Sequence, residues 1–254
     1  ESWRRLRETL PQWTLIGTPG HEHIAVWQGQ DLDVSHRHHS HLACIYPFDS
    51  LRNPSTQDQA IVERSLRRWL EIGMSDWSEW GLSWAAIIQA RSGYREAPYL
   101  MLKLVKDLFI NTSLATVYVP QFAGFSEHVI DQLSLPIEER EVMQLDGTMG
   151  LATALYEMLV HTHAGVTRFF PAVPQAWRDV SFQGVHLPGP AVASGQISDG
   201  RVTSISLQSV AGGSFTIDVP GYSSMHLLRD GRWQSVTLPV TVTLRAGESV
   251  TGKM

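Results

Sequence analysis

The sequence predicts an α+β chain with helices first and strands after, divided near residue 165. Two observations carry this. Before Gly165, apolar residues recur at helical spacing in several long stretches. After it, the spacing changes to alternation, clearest where Val202, Ser204 and Ser206 oppose Thr203, Ile205 and Leu207. Asp199-Gly200 and Asp230-Gly231 add hairpin-type turns, and Pro171, Pro174, Pro188 and Pro190 punctuate the same half. Segregated patterns of this kind indicate two layers or domains, residues 1–165 and 166–254.

The elements follow in order. Trp3, Leu6, Leu10 and Trp13 form the apolar stripe of a helix already under way at Glu1, which Pro11 stops. The chain is therefore expected to be the C-terminal part of a larger protein. Ile24 to Trp27 reads as a short extended piece in a polar, Gly- and Pro-broken stretch. Asn53-Pro54-Ser55-Thr56 starts a helix with Ser55 or Thr56 as cap, and Gly73 ends it. A second helix starts near Ser78 and ends at Ser92-Gly93. Trp80 and Trp84 are expected in its core, and Trp77 at its start, where a site mouth could lie. A third runs from about Arg95 to Phe109, tolerating Pro98 in its first turn. Residues 111–145 read as irregular. Asp146-Gly147 opens the last helix, whose stripe runs through Met158, Leu159 and Thr162 to a close at Ala164-Gly165.

Composition narrows the function classes. A net charge of −5 and the lack of any basic run argue against a nucleic-acid partner. No apolar run approaches the ~18 residues of a membrane helix. Nine tryptophans supply aromatic platforms suited to core, interface or sugar faces. The single cysteine, Cys44, leaves the redox compartment and localisation undecided.

The densest chemistry lies in His36-Arg37-His38-His39-Ser40-His41-Leu42, followed by Tyr46-Pro47. Imidazole and guanidinium suit recognition of hydroxyl and carboxylate oxygens. Spacing alone leaves four readings open: a polar-ligand site, a solvated loop, a metal site, or structural histidines.

This stretch resembles the His-Arg-His-x-Ser-His-Leu…Tyr-Pro signature of glycoside hydrolase family 95. Further matches come in the family's order: Asp76-Trp77-Ser78 with Trp84-Ala85, Gln144-Leu145-Asp146-Gly147 with Gly150, Glu157-Met158-Leu159 with His163, and Phe170-Pro171-Ala172-Val173-Pro174 with Trp177. The resemblance implies the last part of an (α/α)6 barrel followed by a small antiparallel β-sandwich domain. It implies an inverting hydrolase of terminal α-L-fucosyl or related α-L-galactosyl residues, with an oligosaccharide substrate and neither cofactor nor metal. Asp146 matches the family's general base. By itself Asp146 reads as a helix cap; the ordered motifs reverse that preference. Arg37 and His38 match sugar-contacting positions, Trp77 and Gln144 are further candidate substrate-binding residues, and His36 and His41 are expected supports.

Three departures stand beside these matches. The family's general-acid glutamate and water-positioning asparagines belong to earlier barrel helices, and residues 1–35 lack those motifs. Arg140-Glu141-Val142-Met143 replaces the usual His-Pro-Pro-Phe, and Thr148-Met149 replaces Asn-Phe. A glycan-binding protein without turnover is the alternative reading.

Overall fold

The computed structural model describes residues 2–9, 13–51, 55–122, 125, 141–229 and 231–254. The expectations resting on Leu10, Pro11, Asn53, Pro54, Arg140 and Asp230 lie outside them. The fold mixes helices with antiparallel sheets, as the two spacings predict. It comprises two compact units, Glu1–Leu82 with Val105–Gly147, and Ser83–Leu104 with Thr148–Met254.

In the first unit, α1 spans Ser2–Thr9, and β1 (Leu15–Ile16) pairs antiparallel with β2 (His23–Ile24). Helix α2 (Thr56–Ile72) begins as its sequence dictates. The Ser55 side chain accepts from the Asp58 N–H while Asp58 accepts from the Ser55 N–H, a reciprocal capping box. Its C-cap is Gly73, at φ +87°. Ser65 on α2 accepts from the Ile24 N–H at 2.8 Å and so anchors β2.

Three further helices follow: α3 (Glu79–Arg91), α4 (Glu96–Phe109) and α5 (Leu145–Leu159). Every residue from 81 to 90 is buried, so α3 is a core helix on all sides and not a striped one. The last helix departs from expectation. It stops at Leu159, and Thr162 lies in strand β3 (Val160–His163). Val160 and Thr162 are β-branched, and they pair with β4 (Val166–Phe169) across a turn where Ala164 and Gly165 both take positive φ. The expected division near residue 165 thus falls in a hairpin turn.

The remaining strands of the second unit are β5 (Val180–Leu187), β6 (Ala191–Ser198), β7 (Arg201–Ser209), β8 (Gly213–Asp218), β9 (Ser224–Arg229), β10 (Arg232–Thr237), β11 (Val240–Leu244) and β12 (Ser249–Lys253). They form a six-stranded sheet in the order β10-β9-β12-β7-β6-β5 and a four-stranded sheet β11-β8-β4-β3. Both contribute to one buried cluster, with Ala193, Ile205, Leu207 and Leu227 from the first and Phe169, Phe215, Ile217 and Val242 from the second. One pairing corrects the all-antiparallel expectation: β4 runs parallel to β8. A parallel pair needs a long crossover, and the segment between them supplies it by building β5, β6 and β7 in the other sheet.

A bulge between Phe182 and Val185 shifts the phase of β5. Val180 and Phe182 pack on the core before it, and Val185 and Leu187 after it. Gly184, at φ +71°, lies in this bulge.

Candidate active site

The site is built in the first unit from four pieces of chain. The first is the loop carrying Arg37 and His38. Ser35 tethers it, donating to the Gly73 carbonyl and accepting from the Asp76 N–H, each at 3.1 Å. The His38 N–H donates to His36 Nδ1 at 3.0 Å, which curls the loop on itself. Arg37 is half-buried and His38 exposed.

His39 fixes the loop from beneath. It is 1% exposed. Its Nε2–H donates to the Gly81 carbonyl at 2.8 Å, and its Nδ1 accepts from the Trp69 Nε1–H at 3.0 Å. A carbonyl can only accept and an indole N–H can only donate, so the ring is the neutral Nε2–H tautomer. Burial lowers its pKa to about 3, outweighing the opposing effect of the Gly81 carbonyl. Burial likewise lowers His41 to about 4. His39 is the hydrogen-bonded core histidine of the cluster, and His36, though exposed, braces the loop through its Nδ1.

The second piece is the first turn of α3. Trp77, expected at a site mouth, is 1% exposed, stacks on Trp69 with ring centroids 5.0 Å apart, and meets His39 edge-on. It is a core ring under the Arg37 loop, and Trp80 is the more exposed of the two. Periodicity fixes which residues share a face, not which face turns inward. A Cβ at Gly81 would meet the Arg37 carbonyl oxygen at 3.0 Å, so the glycine lets the loop lie against the helix.

The third piece is the start of α5. Gln144 is pinned there: its N–H donates to the Thr116 carbonyl, its carbonyl accepts from the Thr116 hydroxyl, and its side-chain oxygen accepts from the Trp80 N–H at 3.3 Å. Asp146 lies in the first turn and not before it, and its Oδ1 accepts from the Gly147 N–H at 3.0 Å. Asp146 is exposed, within reach of water.

Sequence reasoning missed two residues here. Glu79 is 0% exposed, and its carboxylate occupies the place a Cβ at Gly147 would take. The fourth piece carries the other. Tyr118 lies beside residue 142, its N–H donating to the Val142 carbonyl. Burial raises the Tyr118 hydroxyl's pKa, with the Arg37 charge lowering it and the Asp76 charge raising it. No spacing announces Tyr118, because it lies in a stretch without periodicity. An acidic residue directly after Trp77-Ser78 was the signal available for Glu79. Among the described residues, no group of three or more His, Cys, Asp or Glu is arranged to hold a metal ion.

The model of the glycosyl hydrolase family 95 catalytic domain matches residues 1–159. The chain belongs to this family. It is also 25% identical over 183 residues to alpha-L-fucosidase 2 of Arabidopsis thaliana, an alignment covering 71% of this chain and 20% of that protein. The chain thus spans about a fifth of the length of the curated relative it matches. The matched range contains Arg37, His38, Gln144 and Asp146, the residues of the loop and the α5 start.

Proposed function

We propose that the protein containing this chain is an inverting hydrolase of terminal α-L-fucosyl, or related α-L-galactosyl, residues, with Asp146 as general base. The observation that carries the reading is the ionisable, water-accessible carboxylate of Asp146 in the first turn of α5, within a family 95 match. Inversion requires a base that removes a proton from water on one face of the sugar. An acid protonates the leaving oxygen on the other, ~6.5–9.5 Å away. Asp146 takes the first role. The acid is supplied by a segment outside these 254 residues, in the barrel of which residues 1–165 form the last part; residues 166–254 form the β-domain.

Gln144, held by Trp80 and Thr116, fixes the turn that presents Asp146. Arg37 and His38 bind sugar hydroxyls, and an arginine near the ring oxygen adds recognition without taking a proton. Trp77 acts from beneath, holding the His39-anchored loop. The test uses the full-length protein and 2-linked α-L-fucosyl and α-L-galactosyl oligosaccharides, following the released anomer by NMR. Asp146→Asn is expected to lose about 10²–10⁴-fold in kcat with the anomer inverted in the wild type. A mutant as active as wild type overturns the role of Asp146. An inactive wild type that still binds the glycans replaces hydrolysis with glycan binding.

A further inference from the structure

The second unit holds a polar cavity that this mechanism does not use. Arg91 ends α3 and Glu157 lies in the last turns of α5. The guanidinium bonds both carboxylate oxygens, Nε to Oε2 and Nη2 to Oε1, each at 2.9 Å. His161, the first polar residue of β3, places its Nδ1 2.9 Å from the Glu157 carbonyl and 3.2 Å from Glu157 Oε2. Both partners accept, so Nδ1 carries the proton. The other nitrogen, Nε2, has no hydrogen-bond partner among the described residues, and His161 is 2% exposed. A buried nitrogen in this condition is costly unless something meets it.

His161 lines a cavity of about 470 Å³. Thr153, Tyr156, Gln183 and His186 give it polar groups, and Val185 and Leu187 an apolar wall. Its volume falls in the range of small-molecule sites, and its mixture of apolar wall and few polar groups is theirs too.

We propose that this cavity is a second binding site for a neutral, polyhydroxylated ligand, a mono- or disaccharide. Charge excludes the alternatives. Arg91 and Glu157 neutralise each other at the cavity's base, leaving neither an anion nor a cation a free counter-charge. A hydroxyl both donates and accepts, so it satisfies Nε2 whether the ring is neutral or protonated. The C–H faces of a sugar suit the Val185 and Leu187 wall. The inference stands whether or not Asp146 is the base.

The test is equilibrium binding to the full-length protein by calorimetry and saturation-transfer NMR. The probes are L-fucose, D-galactose and lactose, with glucuronate as a charged comparator. An Arg37→Ala background weakens the first site. Binding of at least one neutral sugar is expected to remain there. It should weaken about tenfold when His161→Phe removes one hydrogen bond. Gln183→Trp, at an exposed bulge position, fills the cavity; it should abolish this binding while leaving hydrolysis by the otherwise wild-type protein unchanged. The proposal is overturned if Arg37→Ala removes all sugar binding, if glucuronate binds more tightly than the neutral sugars, or if Gln183→Trp leaves binding intact. Should His161→Phe fail to fold, Gln183→Trp decides. Failure of the hydrolase reading is a separate result: no turnover by wild type.

Discussion

A single ring, His39, ties down the loop that carries Arg37 and His38. Two elements converge on it, through the Trp69 indole and the Gly81 carbonyl, and it stays neutral because it is buried. Replacing it by leucine leaves both partners unsatisfied and should cost about 2–5 kcal/mol, read from urea denaturation. Its protonation has a definite sign. In the unfolded chain a histidine titrates near 6.5, while folded His39 and His41 titrate at about 3 and about 4. Between these limits the unfolded chain binds more protons, so their contribution is complete above pH 6.5 and is lost as pH falls, toward 4 for His41 and toward 3 for His39. The urea midpoint should therefore drop across that window, and His39→Gln should flatten the slope. A second residue-scale expectation concerns Gly147. An added methyl would fall on the buried Glu79 carboxylate, so Gly147→Ala must push one of them aside next to Asp146. If Asp146 is the base as proposed, activity of the full-length protein on 2-linked fucosides should fall at least tenfold with little change in KM, since the proposed base moves and the proposed sugar contacts do not.

Among the elements, α2 was the most legible, since Ser55 and Gly73 write its ends in the sequence itself. Ser55→Ala removes half the capping box and should lower stability by about 1 kcal/mol, measured by thermal melting. Strand β3 was hidden for an opposite reason. Thr162 continues the helical stripe of α5 through Met158 and Leu159, and only pairing with β4 makes residues 160–163 a strand. In the same way the tryptophan spacing around α3 was readable and Trp84 is in the core as expected, but Trp77, expected at a mouth, is buried and Trp80 is only half-buried, because packing chooses the inward face. The candidate site's contiguous motifs, at Arg37, His38, Gln144 and Asp146, were readable as chain segments, and their roles rest on the proposed reading. The site was illegible where chain-distant residues meet, at Glu79 and Tyr118. Sheet packing offers its own check. A methyl at Gly195 on β6 would sit 2.8 Å from Phe170 and 2.9 Å from Phe182. Gly195→Ala should destabilise by about 1–3 kcal/mol, with no effect on the chemistry at Asp146.

For the molecule as a whole, helices then strands was the strongest sequence signal, and the observed order keeps it apart from the early β1–β2 pair. Hydrolysis divides acid and base between distant parts of the chain in the proposed reading. The isolated 254-residue polypeptide should accordingly leave an α-L-fucoside with a poor leaving group uncleaved, while the full-length protein turns it over. No described helix is long and apolar enough to cross a membrane. The six-stranded sheet ends in β5 on one side and β10 on the other. Such edges expose unpaired backbone groups that can recruit a second molecule. The bulge at Gly184 interrupts that row on β5, so a neighbouring chain finds no continuous ladder to extend. Deleting Gly184 would set Gln183 alone opposite Ser194 and smooth the strand into a continuous template, with Val185 and Leu187 still facing the core. A copy of the chain could then add its own strand to that edge, and the one extra residue stands in the way of such growth.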